Sequence, residues 1–296
     1  MTPGSFGARL AAAVAERESQ VVVGVDPDPA RLWPVSAERL AEARELLADP
    51  SEDTAAAVLA HSLALLDAAA PACVAAKPQL AFFERLGSSG WRALERVCAH
   101  ARERGLLVLA DGKRGDVPST AAAYSDALTG PGGLAADAIT ANPLLGRDAL
   151  APLIDGARAA GAGVFVLVRT SNPGAADVLD LPLASGEPLW ERLAAMAAGL
   201  GEGELADVGA VTGATRPEHL ARMRELMPRT PFLLPGIGAQ GGDVATLAPA
   251  FAPGRAAGLV TASRSIANAH EAAGGDPAQA ARHEAERLRE AAWALI

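Results

Sequence analysis

Cysteine is almost missing from this chain: Cys73 and Cys98 are far apart, and no Cys-x-x-Cys occurs. That argues against a disulfide framework or a thiolate metal site and for a reducing, cytoplasmic home. Aromatic residues are scarce too, at 4% with a single tyrosine. Tyr124 and the tryptophans accordingly read as packing residues and not as a platform for stacked bases. Positive charge is in deficit, 26 Lys and Arg against 35 Asp and Glu, for a formal charge of -9. This balance speaks against an extended nucleic-acid surface, although a local basic patch stays open. Long apolar runs are lacking: every stretch falls short of the ~18–20 residues that cross a membrane. The first ten residues carry one Arg and no apolar core, unlike a signal peptide. Several catalytic motifs are absent as well: no GxGxxG follows an early strand, and there is no GK[ST], HExxH or GxSxG. His61, His100, His219, His270 and His283 all fall in helical segments, on helix surfaces or in the core, with no metal-binding spacing.

What the chain does have is regular alternation. Half of its 296 residues are hydrophobic and 21% are charged, enough to bury a substantial core. The 30 glycines and 21 prolines are spread out and read as many turns. Eight short aliphatic runs recur: VVVGVD (21–26), CVAAKPQ (73–79), LLVLAD (106–111), ADAIT (136–140), GVFVLVRT (163–170), LADVGAVTG (205–213), PFLLPG (231–236) and AGLVTAS (257–263). Helical patterns lie between them. In WRALERVCAHARERG (91–105), Trp91, Leu94, Val97 and Cys98 share one stripe, and Gly105 is a C-cap. TRPEHLARMREL (215–226) opens with Pro217 and Glu218, which suit a helix start. Residues 187–200, 242–250 and 277–293 also read as helices, and 27–70 as a proline-bearing loop with two helices.

Strands joined through helices pair in parallel. Eight such units predict an α/β fold, a closed (β/α)8 barrel, which needs about 250 residues. Residues 1–296 would form one domain, with 27–70 elaborating the first βα connection. An open doubly wound sheet is the alternative, and the missing glycine fingerprint stands against it.

If the barrel closes, the C-terminal ends of its strands share one rim, where βα loops build a site. Those tails carry Asp26, Lys77, Asp111 with Lys113, Arg169 with Thr170 and Ser171, the glycines from 236 to 242, and Ser263 with Arg264. The densest is DGKRGDVPST (111–120). Asp111 and Lys113 are two apart and face the same side of a strand, and Lys77 approaches from the neighbouring strand. Buried charges demand opposite partners. Two lysines and two carboxylates would therefore interleave, keeping an ammonium charged and aimed as a proton donor. A carboxylate beside it would crowd an anionic substrate group that the reaction removes. Plainer readings stay open: a solvated loop or structural ion pair at 111–116, an Asx turn at Asp26, an exposed stem at Lys77.

LLPGIGAQGGD (233–243) runs from a strand through a glycine-rich turn towards a helix. Backbone N–H groups around Gly238 and Gly241 would form an anion nest, and the helix start would add positive potential. TASRSI (261–266) brings Arg264, whose fork suits phosphate oxygens. In VRTSNPGAAD (168–177), Ser171 and Asn172 suit the polar edge of a heterocycle or sugar, or form an ordinary Asn-Pro-Gly turn.

Together these stretches resemble the orotidine 5'-phosphate decarboxylase family. DGKRGDVPST resembles its Asp-x-Lys-x-x-Asp catalytic pattern and the Thr that follows. VGVDP, AKPQLAFFE, TSNPGA, PGIGAQGGD and SRSI resemble its first, second and fifth strand segments, its phosphate loop and its eighth-strand arginine motif. The long 27–70 region resembles the longer bacterial (type 2) branch. The resemblance implies a barrel that dimerises with two shared sites and converts orotidine 5'-phosphate to UMP and CO2 in pyrimidine biosynthesis. It implies no metal or organic cofactor, while the charge balance and short apolar runs already speak against a nucleic-acid or membrane partner. It places ribose binding on Asp26, the charged network on Lys77, the contact with the substrate carboxylate on Asp111 and protonation of C6 on Lys113. Asp116 and Thr120 would reach into the partner's site. Ser171 would bond the pyrimidine, while Gln240 and Arg264, with Gly238 and Gly241, would hold the phosphate. Two rival functions are a phosphosugar aldolase, isomerase or synthase on the same barrel, and a non-catalytic nucleotide-phosphate-binding barrel.

Overall fold

The computed structural model describes residues 4–47, 53–214, 217–237 and 241–296. At its centre eight parallel strands close into a barrel in sequence order. They are β1 (Val21–Val25), β2 (Ala75–Pro78), β3 (Leu107–Arg114), β4 (Ala138–Ala141), β5 (Gly163–Arg169), β6 (Val208–Thr212), β7 (Phe232–Leu234) and β8 (Gly258–Ala262). Each falls on one of the eight aliphatic runs. Val21 pairs with Val260 where β1 meets β8, so the sheet has no open edge.

The strands read as continuous apolar runs because both faces are covered. Val22, Val74, Leu109, Phe165, Leu233 and Leu259 fill the barrel interior. Alternate residues such as Val21 and Val23 face outward into a larger apolar layer beneath the helices. Helix α1 (Phe6–Arg17) stoppers the N-terminal end, where the Phe6 ring meets Phe165 edge-on at 5.9 Å.

The first connection carries α2 (Ala37–Leu47) and α3 (Asp53–Ala69), the two helices expected in the elaboration. After β2 come α4 (Leu80–Glu84) and α5 (Gly87–Glu103); after β3, α6 (Pro118–Thr129); after β4, α7 (Arg147–Ala159). After β5 come α8 (Ala175–Val178) and α9 (Leu189–Ala198), and after β6, α10 (Pro217–Leu226). The chain ends with α11 (Arg264–Ala267), α12 (Ala269–Ala273) and α13 (Pro277–Trp293). The amphipathic stripe read in 91–105 is the buried face of α5, and Gly105 follows its end at φ +71°.

Two expectations need correction. Residues 242–250 form no α-helix but two single 3-10 turns, Val244–Thr246 and Ala248–Phe251. Asp243 caps the first by accepting from the Ala245 N–H, and Pro249, with no N–H to give, stops the turn from propagating. The helix start expected to add positive potential after β7 is therefore not there. Secondly, Asp53–Ala72 is a 20-residue helical stretch of mean hydropathy 1.5, long and apolar enough to cross a membrane. Its alanines are each weakly apolar, and their sum over a window escapes a search for unbroken aliphatic runs. Buried over 78% of the 18-residue window that gives this hydropathy, it packs against α2, α5 and α13 as a core helix.

Candidate active site

Strand β3 continues past its aliphatic run to Arg114, while its register with β4 slips. Ala110 pairs with Ile139 but Arg114 with Ala141, so four steps along β3 match two along β4. The surplus is taken up around Lys113, whose φ of +47° is rare for a residue with a side chain. Its backbone N–H donates to Oγ1 of Thr140 at 2.8 Å. That hydroxyl in turn donates to Oδ1 of Asp111 at 2.9 Å. The bulge brings the Lys113 ammonium back onto the same carboxylate oxygen, at 2.6 Å.

From β2, Nζ of Lys77 reaches Oδ2 of Asp111 at 2.8 Å, and Nε2 of Gln79 donates to that oxygen at 3.1 Å. Each Asp111 oxygen thus accepts two hydrogen bonds. Lys77 and Asp111 are each only 6% exposed, where a lone charge would be expensive. Burial pushes the Asp111 carboxyl up, but Lys77 and Lys113 outweigh it and hold the group well below the usual carboxylate range. Burial likewise opposes the Lys77 ammonium, and Asp111 with Asp26 overcomes it, leaving its pKa raised. Lys113 is the member that opens to solvent, with its side chain 40% exposed.

These groups line a cavity of about 410 Å³ that Asp26, Lys77, Asp111, Lys113, Ser171 and Arg264 share. Two bare positions shape it. A Cβ on Gly24 would lie 1.7 Å from Oγ of Ser263, so β1 must be bare for the β8 tail leading to Arg264. A Cβ on Gly213 would lie 2.7 Å from Cα of Ser171, so the end of β6 must be bare for Ser171 to reach the rim.

Not every polar tail belongs here. Arg169 is buried in a two-point pair with Asp180, both contacts at 2.8 Å, and braces the loop after β5. Asp116 and Thr120 do not line this cavity, and Oδ1 of Asp116 instead accepts from the Val117 N–H at 2.7 Å. Gly238 and Gln240 lie outside the described residues. Gly241 has φ +85°, and the Gly242 N–H donates to the Gly236 carbonyl at 3.0 Å, pinning the ends of the glycine-rich turn together.

Gln79 and Thr140 were not singled out from the sequence, yet a signal for each was there. Gln79 is two residues past Lys77, and Thr140 two past the inward-facing Ala138, so both repeat the period-two rule on strands flanking β3. None of the histidines lines the cavity. Both cysteines are buried free thiols that burial pushes up to about 12. Among the described residues, no group of three or more His, Cys, Asp or Glu is arranged to hold a metal ion.

A model of the "Orotidine 5'-phosphate decarboxylase / HUMPS family" matches residues 19–283. The curated orotidine 5'-phosphate decarboxylase of Deinococcus radiodurans is 43% identical over 272 residues, spanning 90% of each chain. That of Haloarcula marismortui is 45% identical over 267 residues, spanning 90% of this chain and 88% of the relative. The structure of Leishmania donovani OMP decarboxylase superposes with a TM-score of 0.70 at 30% identity, covering 97% of this chain and 99% of that one.

Proposed function

Since this chain belongs to the orotidine 5'-phosphate decarboxylase / HUMPS family, we propose that Lys113 is the acid that protonates the pyrimidine carbon from which CO2 departs. The enzyme is a carboxy-lyase that converts orotidine 5'-phosphate to UMP and CO2. The bond from C6 to the carboxylate breaks and its electron pair stays on C6. A proton from the Lys113 ammonium then forms the new C6–H bond, and solvent reprotonates the amine.

The observation that carries this reading is Asp111, a buried carboxylate held between two ammonium groups on the cavity wall. A substrate carboxylate set beside it meets like charge, and that repulsion is relieved as neutral CO2 leaves. The Lys113 charge stabilises the developing carbanion and is already in place, with no reorganisation needed. Lys77, Gln79 and Thr140 keep Asp111 from turning away. Arg264 takes the phosphate, a role we extend to Gly238, Gln240 and Gly241, and Ser171 bonds the pyrimidine. Asp26, whose buried Oδ1 has no protein hydrogen-bond partner among the described residues, accepts from the ribose. Binding energy gathered at the phosphate is spent in holding the ring against Asp111.

We further assign the chain to the longer bacterial branch, as one barrel domain over 1–296 that works in the cytoplasm as a homodimer. The long first connection supports the branch. The exclusion of Asp116 and Thr120 from their own chain's cavity supports the dimer, because both would be free to complete a neighbour's site. So does the run of exposed apolar residues after β3 and β4, where Val117 is 52%, Leu144 79% and Leu145 45% exposed.

Following the ultraviolet absorbance of orotidine 5'-phosphate with EDTA present tests the function. We expect complete conversion to UMP at an undiminished rate. Collapse of activity in EDTA, or trapping of a lysine by borohydride with a phosphosugar, would instead give the site to the aldolase and synthase chemistries.

A further inference from the structure

Trp33 sits in the first connection, just past the turn Pro29–Arg31, and is only 5% exposed. It is fastened at two points. Its backbone N–H donates to Nδ1 of His61 on α3 at 3.0 Å, and its indole Nε1–H donates to the carbonyl of Ala267 at 2.8 Å. The ring stands edge-on to His61 at 5.2 Å and to His270 at 6.4 Å. Two residues earlier, Arg31 pairs with Glu271 on α12 at 2.5 Å. The connection is thus tied to α3 on one side and to α11 and α12 on the other.

Helix α11 is a single turn, and a single turn is a weak element, since its terminal carbonyls have no partners within it. The Ala267 carbonyl is at that end, and the indole supplies its donor. Arg264 opens the same turn and is exposed. It lines the catalytic cavity and also a neighbouring one of about 340 Å³ bordered by Asp28, Arg31 and His61. That second cavity is room the arginine could take if its turn were not held.

We infer that Trp33 is a positioning residue for Arg264: the elaborated first connection braces the turn after β8 and so fixes where the guanidinium meets the substrate phosphate. This rests on the assignment of Arg264 to the phosphate.

Steady-state kinetics of Trp33→Phe test it with two substrates, orotidine 5'-phosphate and phosphate-free orotidine. The variant keeps a ring and loses the indole N–H. kcat/KM for orotidine 5'-phosphate is expected to fall about fivefold, the worth of one net hydrogen bond, with part of the loss in kcat because phosphate binding energy is spent at the ring. For orotidine, kcat/KM is expected to stay unchanged. Added to Arg264→Ala, Trp33→Phe should cost nothing further. Equal losses on both substrates, or the same penalty in the Arg264→Ala background, overturn the inference. Should Trp33→Phe fail to fold, the indole isostere with sulfur in place of N–H at position 33 gives the same readout without changing shape. Arg264→Ala alone separates the two claims. Equal loss on both substrates defeats the phosphate assignment, whereas loss confined to orotidine 5'-phosphate, with no effect at Trp33, defeats only the brace.

Discussion

Lys113 holds a left-handed backbone without being glycine, a conformation that costs about 1–3 kcal/mol and persists only where its surroundings enforce it. Thr140 does the enforcing, by accepting the Lys113 N–H and donating to Asp111. The strain sets the direction of the ammonium, so the backbone and the charge network act together. Lys113→Ala should therefore lower kcat by at least ~10⁴-fold, beyond the usual loss of a general acid because a stabilising charge goes with it. The variant should still bind UMP, since the proposed phosphate, ribose and base contacts are untouched. Isothermal titration together with a turnover assay would decide. Turnover near the unmutated rate removes Lys113 from the mechanism.

Among the elements, α3 does most to anchor the first connection. Its His61 accepts the Trp33 N–H through Nδ1 and is buried. Burial, and secondarily the nearby His270, push the His61 pKa from 6.5 down to about 4. An unfolded chain takes up this proton below about 6.5, whereas the folded one waits until about 4. The contribution to stability is thus complete above that upper value and shrinks as pH falls through the window. Between pH 7.5 and 5 the loss amounts to roughly 2 kcal/mol. Urea unfolding of the unmutated chain should show it, and His61→Gln should flatten the dependence. An identical pH slope in the two proteins would place the titrating group elsewhere. The segment 242–250 teaches the opposite lesson about elements. Its apolar spacing is helical, but one proline and one aspartate cap divide it into separate turns.

At the scale of the whole molecule, the proposed shared site has a clean consequence. Lys113→Ala spoils one chain's own cavity, and Asp116→Asn spoils only what that chain lends its partner. Each homodimer has two damaged sites. A mixed dimer has one site with both defects and one with neither. Combining the two inactive proteins should therefore restore up to about a quarter of the activity, by random pairing of chains across a symmetric interface. If the mixture stays dead while dimers exchange freely, Asp116 does not cross between subunits.

Much of this was legible residue by residue. The eight strands lie on the eight aliphatic runs, because a strand covered on both faces must be apolar throughout. Asp26, Lys77, Asp111, Lys113, Ser171 and Arg264 stood at strand ends, and closure of the barrel gathers them around one cavity. Gln79 and Thr140 escaped notice because an amide and a hydroxyl look ordinary until the carboxylate they serve is located. Arg169 looked like a rim residue until Asp180, eleven positions on, claimed it.

The linear chain by itself determined the order of the eight strands and the chemical types at their ends, since periodicity and turn residues are local properties. Only the tertiary structure decided who bonds to whom. The slipped register that turns Lys113 back, the four-way saturation of Asp111 and the indole that reaches Ala267 join residues from different strands and helices. Such contacts depend on distances that close only when the barrel does.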